Sequence, residues 1–151
     1  MANEEPLSLS FSAKFPEPVK IGTMVTLVGE VNNDTEFDIY LVCKPSGDSA
    51  LHCAFRPDKK TEDGKVVRSS SGSGDEEKEG IWPIEKTGEF EIAFWIKGEH
   101  IEIYVGGKLF TTFQHRLPYS KITDITGNAK AHYTSIKFQK TTKSPAKHQP
   151  S

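Results

Sequence analysis

A chain of 151 residues with 35% hydrophobic content is long enough for one domain with a substantial core, and its formal net charge of -2 argues against a general binder of nucleic acid or anionic membranes. No apolar run reaches the length of a membrane span, and the acidic start MANEEPLSLS lacks the basic stretch and apolar core of a secretory signal.

In chain order the sequence reads as nearly all β. VTLVGEV (25–31) ends at the turn signal NND. FDIYLVCK (37–44) alternates Phe37, Ile39 and Leu41 against Asp38, Tyr40 and Val42, the period of a half-buried strand. ALHCAFR (50–56) follows a PSGDS turn, and KVVRSS (65–70) follows EDG. SSSGSGDEEKEG (69–80) reads as a flexible charged loop inside the domain. FEIAFWIKG (90–98) leads through GEH into IEIYVGG (101–107), where Gly106-Gly107 predicts a tight hairpin turn into KLFTTFQH (108–115). AHYTSIKF (131–138) reads as the last strand. No window holds a sustained helical period, so many short strands predict an all-β fold, a sandwich or jelly roll of antiparallel sheets with one free face for a shallow site. The organisation expected is a flexible N-terminus (1–6), one domain (7–139) and a disordered Lys/Ser/Pro-rich tail (140–151).

The two cysteines, Cys43 and Cys53, fall at strand positions that predict buried thiols rather than a disulfide. No CxxC or paired Cys/His spacing occurs, and the histidines at 52, 100, 115, 132 and 148 are scattered. No metal and no cofactor is therefore expected. Catalysis is not expected either. Glu76 and Glu77 are adjacent rather than facing across a cleft, Ser69–Ser71 have no evident His/Asp partners, and SSSGSG lacks the lysine of a phosphate-binding loop.

The stretch LHCAFRP (51–57) carries the functional signal. His52, Ala54 and Arg56 alternate and share one strand face. An imidazole and a planar fork of donors suit the hydroxyl and ring oxygens of a sugar, although surface strands often carry such residues with no ligand at all.

The surroundings decide between these. LHCAFRP, VVRSS, EEKEGIWPI (76–84), IEIYVGGKLF, FQHRLP (113–118) and AHYTSIKF occur in an order that resembles a galectin over about residues 7–138. The resemblance implies a galectin-type jelly-roll β-sandwich and a groove for β-galactosides on one sheet. It also implies a chain without a signal peptide that reaches the cell exterior by an unconventional route. With buried free thiols, the cytoplasm is the first expected location.

Residue by residue, the family pattern H-x-N-x-R keeps His52 and Arg56, with Ala54 in place of the asparagine. The next strand's V-x-N keeps Val67, with Ser69 for the asparagine. In W-G-x-E-x-R, Gly74 and Glu76 match, Lys78 replaces the arginine, and Ser73 stands at the tryptophan position. Trp82 and Trp95 lie elsewhere and read as core or opposite-sheet residues. The carbohydrate-binding residues carried over are thus His52, Arg56, Ser69, Glu76 and Lys78, with Glu76 expected to orient Arg56.

The replacements remove contacts. An aromatic platform is worth about 1–3 kcal/mol, and each lost hydrogen bond about 0.5–1.5 kcal/mol. A lysine lacks the bidentate fork of arginine. Losses of roughly 3–6 kcal/mol cost a factor of about a hundred or more in affinity. The expected function is a galectin-like carbohydrate-binding protein with altered glycan specificity and weak or absent lactose binding. Its partner would be a glycan or glycoprotein. Arg56 and Lys78, with Lys59 or Lys60, could favour an anionic one. The alternative is a non-lectin protein acting through protein contacts or self-association. A homodimer is left open, with residues 7–11 and 131–138 as candidate edges.

Overall fold

The computed structural model describes residues 11–32, 35–57, 64–71, 76–78, 82–84, 88–128 and 130–145, with the backbone of 3–5. Within these the chain forms β1 (Asn3–Glu5), β2 (Phe11–Lys14), β3 (Thr23–Glu30), β4 (Phe37–Cys43), β5 (Asp48–Pro57), β6 (Gly64–Ser69), β7 (Glu89–Ile96), β8 (His100–Val105), β9 (Lys108–Gln114), β10 (Asp124–Gly127) and β11 (His132–Lys140). A short 3₁₀ turn, Tyr119–Lys121, precedes β10. All pairings are antiparallel and build a six-stranded sheet, β1-β11-β3-β7-β8-β9, and a five-stranded sheet, β2-β10-β4-β5-β6. The all-β sandwich read from the alternation is the fold observed.

The alternation of β4 and β5 sets which sheet face is which. Phe37, Ile39, Leu41, Leu51, Cys53 and Phe55 are buried between the sheets. Phe37 lies flat against Phe55 of its own sheet, with centroids 4.5 Å apart, and against Phe90 of the other sheet at 5.1 Å. This aromatic stack joins the two layers directly beneath the polar side chains of β4 and β5. Cys43 and Cys53 are free and buried, and burial pushes the Cys53 thiol up to about 12.

Gly106 and Gly107 both have positive φ, 62° and 80°, as the two-residue turn between Val105 and Lys108 requires. At Gly88 (φ 83°) a Cβ would collide with the Val31 carbonyl, whose own amide donates to Gly88 O at 2.9 Å.

Three elements differ from the expectation. β10 is four residues, DITG, too short to show a period. Residues 3–5, expected within a flexible N-terminus, lie as a strand against β11, so 131–138 is not a sheet edge. Residues 141–145, expected within a disordered tail, pack on the six-stranded sheet. Residues 7–10 and 146–151 lie outside the described residues.

Candidate functional site

The outer face of the five-stranded sheet carries the residues that the alternation turned away from the core. Register places Tyr40, His52 and Ser69 in one row across β4, β5 and β6, and Asp38, Ala54 and Val67 in the next. An isolated bridge between Arg68 and Glu77 continues the sheet beyond β6. With Glu77 opposite Arg68, antiparallel pairing puts Glu76 opposite Ser69 and Lys78 opposite Val67. The five residues expected at the site therefore share one face.

Asp38 holds the centre. Its Oδ1 accepts from Arg56 Nη2 at 2.7 Å and from His52 Nε2 at 2.9 Å, and its Oδ2 accepts from Asn128 Nδ2 at 2.7 Å. A carboxylate only accepts, so Nε2 of His52 carries the proton. Arg56 also reaches Glu36 Oε2 through Nε at 3.5 Å, and its Nη1 points at the Phe55 and Phe37 carbonyls at 3.3 and 3.5 Å. The Tyr40 ring lies parallel to His52 with centroids 4.2 Å apart. His52 and Arg56 are thus fixed in orientation by a buried acid and an aromatic neighbour. Ala54 is only 3% exposed although it sits on the outer face, flanked by His52, Arg56, Asp38 and Val67.

One sequence expectation is corrected. Glu76 does not orient Arg56; its Oε1 pairs with Lys78 Nζ at 3.7 Å, and Asp38 takes the orienting role. Glu77, one residue on, belongs to the framework. Its Oε2 accepts from Arg116 Nη2 at 3.0 Å, and its Oε1 lies 4.0 Å from the Nε of Arg68, which is 1% exposed. The two adjacent glutamates divide because side chains alternate across a bridged strand. Ser73, Gly74, Lys59 and Lys60 lie outside the described residues. Trp82 packs edge-on to Phe55 at 6.4 Å, and Trp95 sits on the opposite sheet.

Asp38, Tyr40, Glu36 and Asn128 were missed as site residues. The alternation already turned Asp38 and Tyr40 outward, and an acidic residue inside an otherwise apolar strand was the available signal. Asn128 had none, because it reaches Asp38 across 90 residues of chain.

Burial pushes the Asp38 carboxyl up, but the hydrogen bonds and charges of Arg56 and His52 outweigh it and hold it below the ordinary value of 3.8. A folded pKa below the unfolded one stabilises the fold fully above the unfolded value, and that stabilisation is lost as pH falls through the folded value. Unfolding free energy measured in urea is expected to drop with pH below about 3.8, and Asp38→Asn is expected to flatten that part of the profile. Identical acid slopes in both proteins would remove Asp38 as the titrating group.

The arrangement suits reversible binding of hydroxyl-rich molecules. Among the described residues no group of His, Cys, Asp and Glu side chains could hold a metal ion.

A profile of the Galactoside-binding lectin family matches residues 10–138, most of the chain. The chain belongs to the galectin family. A 32 kDa beta-galactoside-binding lectin of Haemonchus contortus is 33% identical over 106 residues, 68% of this chain and 36% of that protein. Galectin-4 of Homo sapiens is 27% identical over 136 residues, 87% of this chain and 42% of that protein. The chain spans about two fifths of the length of these curated relatives. Galectin-7 of Mus musculus is instead matched over 92% of its length, at 26% identity over 80% of this chain. A Caenorhabditis elegans galectin structure superposes with a TM-score of 0.74 at 24% identity, covering 91% of this chain and 96% of that one. Sheep galectin-11, in complex with glycerol, gives 0.72 at 20% identity, covering 89% and 99%. These likenesses show that the fold is the galectin sandwich.

Proposed function

We propose that this galectin-family chain binds glycans through the outer face of the five-stranded sheet, with altered specificity and weak or no affinity for lactose. The observation that carries this reading is the fixed His52–Asp38–Arg56 group on a face whose other positions include Ala54, Ser69 and Lys78. An oriented imidazole and guanidinium supply directional polar groups at low entropic cost. Ala54 offers no amide and Ser69 only a hydroxyl, so galactose would lose contacts that the resemblance assigns to the family. Charge pairing also bears on the ligand. Arg56 is matched by Asp38 and Glu36, and Lys78 by Glu76, so a neutral glycan fits this face better than an anionic one. The beta-galactoside-binding relative supports carbohydrate as the ligand class. The chain would act in the cytoplasm, and on cell-surface glycoproteins if exported without a secretory signal.

One observation favours a second reading, in which the fold serves protein contacts instead. Asp38 already engages donors of both His52 and Arg56, so the group is complete without any ligand.

Amide chemical shifts followed through a lactose titration test the first reading, with Arg56→Ala as control and a broad glycan screen after it. The expected result is no saturable shift with lactose up to high millimolar sugar, together with screen hits that disappear in Arg56→Ala. Saturable shifts at residues 52–56 and 69–78 at low millimolar lactose would overturn the altered specificity. A screen without hits would favour the protein-binding reading.

A further inference from the structure

Of the nine prolines in the chain, Pro145 alone follows a serine or threonine, and Lys147 completes the run Ser-Pro-Ala-Lys. Protein kinases that require proline after the acceptor hold that residue where an amide N–H would find no partner, and proline has none to lose. Many of them also favour a base two residues further on. Residues 144–147 meet both demands.

Ser144 lies in the segment that leaves β11 and crosses the outer face of the six-stranded sheet. There Met24, Ala93, Trp95 and Tyr104 are 2–6% exposed and form a cluster separate from the main core. The Thr141 amide donates to Gly22 O at 2.9 Å, and the Trp95 indole donates to Thr141 O at 3.2 Å. Ser144 hydrogen bonds with Tyr104, whose hydroxyl donates to Glu102 Oε1 at 2.7 Å. His100 Nε2 lies 3.3 Å from the other oxygen of that carboxylate. The segment is thus tied to the sheet near both of its ends, by Thr141 and by Ser144. Between them Thr142 and Lys143 are exposed, and Ser144 itself is half-buried. A segment held by few contacts opens at low free-energy cost, and a kinase needs that opening because it binds its acceptor as an extended strand.

We propose that Ser144 is a phosphorylation site for a proline-directed protein kinase, and that phosphorylation lifts residues 141–145 off Trp95. In the transfer Ser144 Oγ forms a bond to the γ-phosphorus of ATP and the bond from that phosphorus to the β,γ-bridging oxygen breaks. ADP leaves, and the hydroxyl proton passes to the base of the kinase. The product carries a charge of about −2 where a neutral hydroxyl stood. It cannot return to its former place. Tyr104, 6% exposed, occupies the space beside Oγ, and its hydroxyl proton is committed to Glu102. A phosphate there would press on a buried ring and face the Glu102 carboxylate at close range, the setting in which phosphorylation disrupts rather than orders. Lys97 does not relieve this, because its Nζ lies over the Trp95 ring, 3.9 Å from the centroid. The proposal does not depend on the glycan reading.

The experiment treats the full chain, carrying Trp82→Phe so that Trp95 reports alone, with ATP and a cyclin-dependent protein kinase, and afterwards with a phosphatase. Mass spectrometry locates the phosphate, and acrylamide quenching of fluorescence reads the exposure of Trp95. Phosphate is expected on Ser144, with that site lost in Ser144→Ala. Quenching of Trp95 should rise about three-fold or more on phosphorylation and fall back once the phosphatase has released inorganic phosphate. Circular dichroism should stay unchanged throughout, since only the segment after β11 moves. Should Trp82→Phe fail to fold, the amide-type resonance of the Trp95 indole in the parent chain gives the same reading, and it should shift towards its solvent-exposed position. A chain that gains no phosphate at Ser144 overturns the proposal. So does one fully phosphorylated at Ser144 in which Trp95 stays as shielded as before.

Discussion

Asp38→Ala is expected to weaken glycan binding by at least ten-fold, about 1.4 kcal/mol or more, and to destabilise the fold by about 2–3 kcal/mol. The carboxylate is 8% exposed and accepts from Arg56, His52 and Asn128. Removing it strands three donors on a partly buried face. Water can reach Arg56 and His52, whose side chains are 34% and 29% exposed, and this keeps the stability cost below that of an unpaired charge in the interior. The binding cost arises differently. Arg56 and His52 would regain rotamers that Asp38 now excludes, and each would have to be reordered by the ligand. Asp38→Asn retains one acceptor oxygen without the charge and should fall between the parent and Asp38→Ala. Calorimetric titration with whichever glycan the screen identifies, beside urea unfolding, separates the two effects. Unchanged affinity in Asp38→Ala would show that the ligand bypasses the pair that Asp38 orients.

Phe37→Ala carries the largest expected effect on stability, a loss of about 3–5 kcal/mol. Phe37 is fully buried and stacked on Phe55 and on Phe90, so its ring is shared by both sheets. Flanking strands fix the backbone and cannot collapse into the space left behind. For a domain of this size the midpoint of thermal unfolding should fall by roughly 10 °C. Because Phe37 precedes Asp38 on β4, slackening there should also blur the site, raising exchange of the β4 and β5 amides before that of β8 and β9. A loss under about 1 kcal/mol would mean that the Phe37 stack is not what couples the two layers.

How far the site was legible follows from which residues obey a period. His52, Ala54 and Arg56 could be placed on one face because strand parity is local, Ser69 joined them only through the family resemblance, and the structure puts all four on one face. Glu76 was placed on the right face and given the wrong partner. The family resemblance suggested Arg56, whereas register brings the acid of β4 to that arginine. Trp95 could be separated from the groove by its strand, but nothing local shows that the chain's own C-terminal segment covers it.

The fold class, the buried thiols, the hairpin at Gly106-Gly107 and the outward face of LHCAFRP were legible in the chain's local pattern. Each depends on alternation or turn chemistry within a few residues. It took the packed sheets to show that Asp38 and Asn128 organise His52 and Arg56, that Glu77 belongs to the framework while Glu76 faces outward, and that the segment after β11 closes over Trp95. Those contacts join segments far apart in the chain, and their partners are chosen by strand order and register, which the local period of a sequence does not encode.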